Sequence, residues 1–313
     1  MTLRQPGLAV RLLEVVREGL AVGKQTTVDE TRNLNRPGRR IEVMILVKTT
    51  PTPSSKYEDT VCVAGWALDP NPPRWVRLYP IPFRHLDADQ QFPKYATVSV
   101  EVSKPSNDPR AESLRVRLDT ISVTHKRPSG GRERHEAMAQ VPVTTACRLR
   151  AGVEEDINGP SLGLVIPQRP CLEIKPHEGW NQKQADTIRR WQQQDTLPIP
   201  KLARRPAPPL EAPPLRAWYR YRCGEPSCPG HRQGILDWEL TALQRNAQRQ
   251  GADVEEWVRH KFSEQMLAPD RRPMFILGNQ AEAAKRKNFS VLSVYWPTAA
   301  EACQGQADTA TLF

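Results

Sequence analysis

The chain has 313 residues, a net charge of +10, 38% hydrophobic residues and 30 prolines against 17 glycines. That length suffices for two domains with buried cores, and a proline share about twice the usual one favours short strands and turns over long helices. No apolar run approaches the roughly 18 residues needed to cross a bilayer. Arg11, Glu14, Arg17 and Glu18 interrupt the N-terminal apolar residues, which excludes a signal-peptide core. The expected location is the cytoplasm, where the six cysteines stay reduced and imply no disulfides.

In chain order, Leu8, Leu12, Val15, Val16 and Leu20 fall on one helical face, and a polar run follows. Residues 1–43 read as a helical or flexible arm. Residues 44–180 read as a β-rich domain. Its segments "IEVMILVK", "VCVAGWAL", "RWVRLY", "ATVSVEVS" and "LRVRLDTISV" are valine-rich and alternate in polarity between proline and glycine turns. Five such strands fit a small, OB-like barrel. Between them and the later strand segments "LGLVI" and "CLEIK", residues 125–135, "HKRPSGGRERH", read as a basic loop.

Residues 181–215 combine a polar helix with an extended linker that holds seven prolines between 198 and 214. Residues 216–313 read as a smaller α+β zinc-knuckle domain. It has a strand "RAWYRYR", a helix starting near Asp237, a second helix capped by Asp253, and two closing strands, "PMFIL" and "FSVLSVYW". The fold class expected from the whole is α+β.

The knuckle is C-x4-C-x2-H, formed by Cys223, Cys228 and His231. Zinc takes thiolate and imidazole ligands tetrahedrally, and the "GEPS" turn between the cysteines can bring two sulfurs onto one ion. Three ligands leave one position open. Cys171 is the leading choice for it, with Cys147, Cys303, His177, Asp237 or water as alternatives. Asp237 and Glu239, in "ILDWEL", would project together from a strand and could hold a catalytic divalent ion. The simpler role is capping: Asp237 accepts first-turn amides, and Glu239 sits favourably near the helix N-terminus. A cap of this kind predicts that Asp237→Asn is nearly silent.

Charge is uneven. Residues 104–150 carry ten Lys/Arg against five Asp/Glu, and residues 181–222 carry nine against three. Localised excess of this kind attracts a polyanion. Arg74, Trp75, Arg77, Tyr79 and Arg84 interleave cations with aromatics, and Arg220 and Arg222 repeat the pattern beside Tyr219 and Tyr221. Arg132, Arg134, Arg204 and Arg205 complete the residues expected to contact nucleic acid. The leading expectation is therefore a nucleic-acid-binding protein, for DNA or RNA, with a structural zinc. The alternatives are a metal-dependent enzyme acting on nucleic acid, as a nuclease or in base processing, and a structural or interaction subunit of a larger complex with protein partners.

Overall fold

The computed structural model describes residues 38–54, 58–69, 72–128, 130–193 and 208–302. The expected N-terminal helix, Arg204, Arg205 and Cys303 lie outside them. No helix among the described residues is long and apolar enough to cross a membrane.

The chain runs through β1 (Arg39–Lys48), β2 (Thr52–Ser54), β3 (Glu58–Ala67), β4 (Arg74–Ile81), β5 (Thr97–Ser103) and β6 (Ser113–His125). Helix α1 (Gly131–Ala139), β7 (Val143–Thr144), α2 (Ala146–Glu155), β8 (Leu162–Val165), β9 (Gln168–Pro176) and α3 (Gln182–Gln193) follow. The remainder is β10 (Leu215–Arg222), β11 (His231–Gly234), α4 (Trp238–Arg249), α5 (Val254–Arg259) with a π-helical turn (His260–Gln265), β12 (Met274–Asn279) and β13 (Phe289–Tyr295).

The first five long strands close into a barrel. β1 pairs with both β3 and β5, β3 with β4, β4 with β6 in parallel, and β6 with β5, which completes the circuit. With one parallel contact in an otherwise antiparallel ring, this order fits the OB-like expectation. Ile41, Val43, Ile45, Val63, Leu78 and Val98 fill its interior. β1 reads as a continuous apolar run because its other face is buried too, through Met44 and Leu46.

The second half repeats the circuit. β8 and β9 are successive pieces of one bent strand around Pro167. β9 pairs with β10, β10 with β11, and β8 with β12, which pairs with β13. A parallel bridge between Ile235 and Val291, with Leu236 N–H donating to Val291 O at 2.8 Å, joins the end of β11 to β13. The smaller α+β unit expected around the knuckle is thus part of a second five-segment ring, with α4 and α5 inserted between its third and fourth segments. β8 and β9, which the sequence groups with the first sheet, pair instead with β12 and β10, beyond the proline-rich segment, and β7 pairs with β8. The basic loop expected at 125–135 is in part helical, since α1 starts at Gly131.

A third apolar cluster lies between the rings. Met44, Leu46, Ala64 and Trp66 of the first pack with Leu162, Leu164, Ile276, Leu292 and Tyr295 of the second. Arg77 crosses the same boundary, donating from Nε to Ser161 Oγ at 2.9 Å and from Nη2 to Ser161 O at 2.6 Å. Arg110 does likewise, donating to Asn279 O at 2.9 Å.

Candidate metal centre and nucleic-acid face

β10 and β11 form a hairpin whose turn carries the knuckle. Gly224 and Gly230 stand at φ +84° and +92°, a left-handed conformation that glycine adopts at little cost. They fold the "GEPSCP" turn back, and Gly230 N–H donates to Cys228 Sγ at 3.4 Å. Cys223 and Cys228 are buried with their sulfurs 3.6 Å apart, and His231 Nε2 lies 3.3 Å and 3.2 Å from them.

The fourth group is Cys147. It sits in the first turn of α2, with its Sγ 3.6 Å from His231 Nε2. Thr145 caps that helix by accepting from Arg148 N–H. Glu225 of the knuckle turn accepts from Thr145 Oγ1 at 3.0 Å and from Arg148 Nε at 2.8 Å, which holds α2 against the hairpin. All four ligand atoms lie within 4.8 Å of one another. A tetrahedral zinc site with Zn–S bonds of about 2.3 Å has sulfur–sulfur edges of roughly 3.8 Å, so the donor set fits such an ion. Cys147, Cys223, Cys228 and His231 can together hold a metal ion.

The electrostatics agree with that chemistry. Burial, with Cys223 and Cys228 alongside, pushes the Cys147 thiol up to about 12. Three crowded sulfurs resist ionising together unless a cation compensates them. Burial, helped by the Arg150 charge, lowers the His231 pKa and favours the neutral imidazole that ligates metals.

Cys171 is not part of this cluster. It is exposed on β9, opposite Arg220, where strand alternation points it away from the barrel interior. His177 accepts from Gly179 N–H through Nδ1, near Trp180. The only signal for Cys147 in the sequence was its being a cysteine; the packing of α2 on the hairpin was not visible there.

Asp237 is the N-cap of α4, its Oδ1 accepting from Glu239 N–H at 2.9 Å. It is also fully buried, and Lys94 Nζ lies 2.9 Å from Oδ2. Lys94 reaches Glu239 at 3.2 Å and Ser293 Oγ at 2.9 Å as well. Burial alone would depress the Lys94 pKa, but the two carboxylates outweigh it and hold the ammonium charged. A lysine from the first barrel thus bridges the D-x-E pair.

The first arginine–aromatic strand faces the other barrel. Trp75 packs edge-on against Trp66 at 5.7 Å in the cluster between the rings, and Arg77 is buried there. Arg84 is spent on Asp59 at 2.5 Å and on Pro208 O. Burial removes Arg77, and the ion pair with Asp59 removes Arg84, from any phosphate-gripping surface. Arg74 is half-buried, and Tyr79 is exposed with its hydroxyl accepting from Thr60 at 3.3 Å. Arg132 pairs with Glu136 at 2.8 Å on the outside of α1, and Arg134 donates to Gly130 O.

The second such strand is different. On β10, Ala217, Tyr219 and Tyr221 point into the barrel, while Arg216, Arg220 and Arg222 are exposed and Trp218 is half-buried beside them. The aromatics that the sequence singled out are core; Trp218 is the one on the arginine side. Arg232 of β11 stacks over the Trp218 ring at 4.3 Å, Arg216 lies 5.3 Å from it, and Arg220 is directly opposite Arg232. Glu173 of β9 grips Arg232 through contacts of 2.8 Å and 2.9 Å, and that pairing holds its carboxyl down to about 2.

Comparison with known proteins places these features in families. Residues 142–313 match a family described as Domain of unknown function (DUF8757), and residues 39–140 match one described as Domain of unknown function (DUF8758). The chain belongs to the DUF8757 family. No curated protein matches it. A solved structure of a murine DNA binding protein bound with ds DNA aligns over 82% of this chain and 93% of its own, at 9% identity and a TM-score of 0.28. A likeness that slight carries no argument, so the site itself must supply the function of this DUF8757 member.

Proposed function

We propose that the chain is a nucleic-acid-binding protein whose second barrel carries the binding face, with zinc as a structural ion. One observation carries the reading: the row on β10 in which Arg216, Arg220 and Arg222 stand exposed around the half-buried Trp218, flanked by Arg232 on β11. These are the second and third segments of the ring, the strands through which OB-like barrels bind oligonucleotides. A half-buried tryptophan among arginines suits base stacking with phosphate neutralisation, which is sequence-tolerant.

Zinc is favoured over other ions by the donor set, since three thiolates and an imidazole match a closed tetrahedral structural site. It would pin α2 to the β10–β11 hairpin and so stiffen the strands that carry the arginines. Zinc's role in this reading is to hold the face in shape.

The test is binding of labelled single-stranded and duplex DNA and RNA at two salt concentrations, comparing wild type with the Arg220→Ala/Arg222→Ala protein. Binding that falls steeply with salt and weakens in the variant supports the reading. An affinity that is absent at low salt, or identical in the variant, overturns it.

A further inference from the structure

Between the barrels lies a cleft of about 760 Å³ that shares no residue with the metal centre or the arginine face. Its volume falls within the range of small-molecule sites, roughly 300–1,000 Å³. Arg127, Arg134, Arg249, Lys261 and Arg271 line it, against the carboxylates Glu239 and Glu301. Glu301 is already committed, because its Oε2 accepts from Thr298 N–H at 2.7 Å. Five cations against two carboxylates leave the rim cationic, with Glu301 near Arg134 and Arg271.

The apolar wall is aromatic. Trp296 lies under Lys261 and Arg271, 4.4 Å and 4.9 Å from its ring centre. Tyr95 and Tyr295 meet edge to face at 6.0 Å, and Tyr295 is fixed by its hydroxyl, 3.1 Å from His135 Nδ1. The π-helical turn sets both Lys261 and Phe262 on the cleft; π turns recur at functional sites. Glu239 is pinned by Lys94 at 3.2 Å, so its carboxylate is a fixed acceptor at the cleft wall.

A rigid aromatic wall, one fixed acceptor and several cations match the three parts of a nucleotide: a ring with amino groups and a phosphate. We propose that this cleft binds a nucleotide, with the base against Trp296, its amino group donating to Glu239, and the phosphate held by Arg134, Lys261 and Arg271. The source is a free mononucleotide or the terminal unit of a strand. An inorganic anion would use the cations but leave the aromatic wall without a function.

The experiment is calorimetric titration of the full chain with the four ribonucleoside monophosphates, with adenosine and with inorganic phosphate. At least one nucleotide should bind more tightly than phosphate or nucleoside alone. Arg134→Ala/Arg271→Ala should weaken it about tenfold or more, given the strength of charge-assisted contacts. Glu239→Gln serves as a second variant, with its fold checked by thermal melting, and it should weaken binding of the amino-bearing bases.

Competition against a labelled single strand then separates the sources: displacement identifies a strand terminus, and binding without displacement identifies a free nucleotide. The Arg220→Ala/Arg222→Ala protein should bind nucleotide like wild type, so failure of the arginine face would leave this result intact. No heat at millimolar nucleotide, equal affinity in folded variants, or phosphate binding as tightly as nucleotide would overturn the proposal.

Discussion

Lys94 Nζ of the first barrel lies 2.9 Å from Asp237 Oδ2 of the second, and both side chains are buried. The contact converts a helix cap into a tie between the two rings. Around it, Thr50 N–H donates to Leu236 O at 2.7 Å, and Lys94 also donates to Ser293 Oγ.

This changes the expected effect of Asp237→Asn. Asparagine caps as well as aspartate, but it leaves a buried ammonium short of its main counter-charge. Loss of one partner of a buried pair costs about 3–5 kcal/mol; Glu239 at 3.2 Å should keep the loss near the lower figure. Urea denaturation of wild type and variant measures it. A difference below about 1 kcal/mol would mean that the pair contributes little beyond the cap.

Metal content discriminates the cysteines. Purified protein should carry about one zinc per chain, and Cys147→Ser or Cys223→Ser should release it with a clear drop in thermal stability, since structural zinc contributes directly to folding. Cys171→Ser should retain full metal, because that thiol is exposed on β9. Retention of zinc by Cys147→Ser, or its loss from Cys171→Ser, would contradict this ligand set.

Two arginine changes should separate binding from stability. Arg220→Ala/Arg222→Ala should reduce the salt slope of oligonucleotide binding by roughly one unit per lost contact while the melting temperature holds. Arg77→Ala should do the reverse, lowering stability because Ser161 and the interface lose their donor, and leaving the salt slope unchanged. A changed slope in Arg77→Ala would place part of the polyanion on the first barrel.

Acid should loosen the turn that presents Arg110. Burial alone would raise the Asp108 pKa, but donation from Arg110 and Ser113 outweighs it and holds the carboxyl at about 2. A depressed folded pKa contributes stability that is complete above the ordinary carboxylate range near ~3.9. That contribution drains away as pH falls towards about 2. The stability gap between wild type and Asp108→Asn should therefore be constant above that range and close below it. A gap independent of pH would show the pairing to be without energetic effect.

The sequence by itself determined the elements. Alternation of valines with polar residues marked the strands of the first barrel, and the side chains of Asp237 and Asp253 cap α4 and α5 where their positions predicted. Such signals are local: they depend on residues a few positions apart. It also displayed Cys223, Cys228 and His231 as a group, because a single turn carries them. What it could not supply was everything that depends on chain closure. Cys147 and Lys94 join their partners across 84 and 143 positions. Arg77 of "RWVRLY" is buried and the arginines of β10 are exposed, although both strands alternate arginine with aromatics, because Arg77 lies against the other barrel. Alternation specifies that a strand has two faces, and the packing of the rings decides which of them meets water.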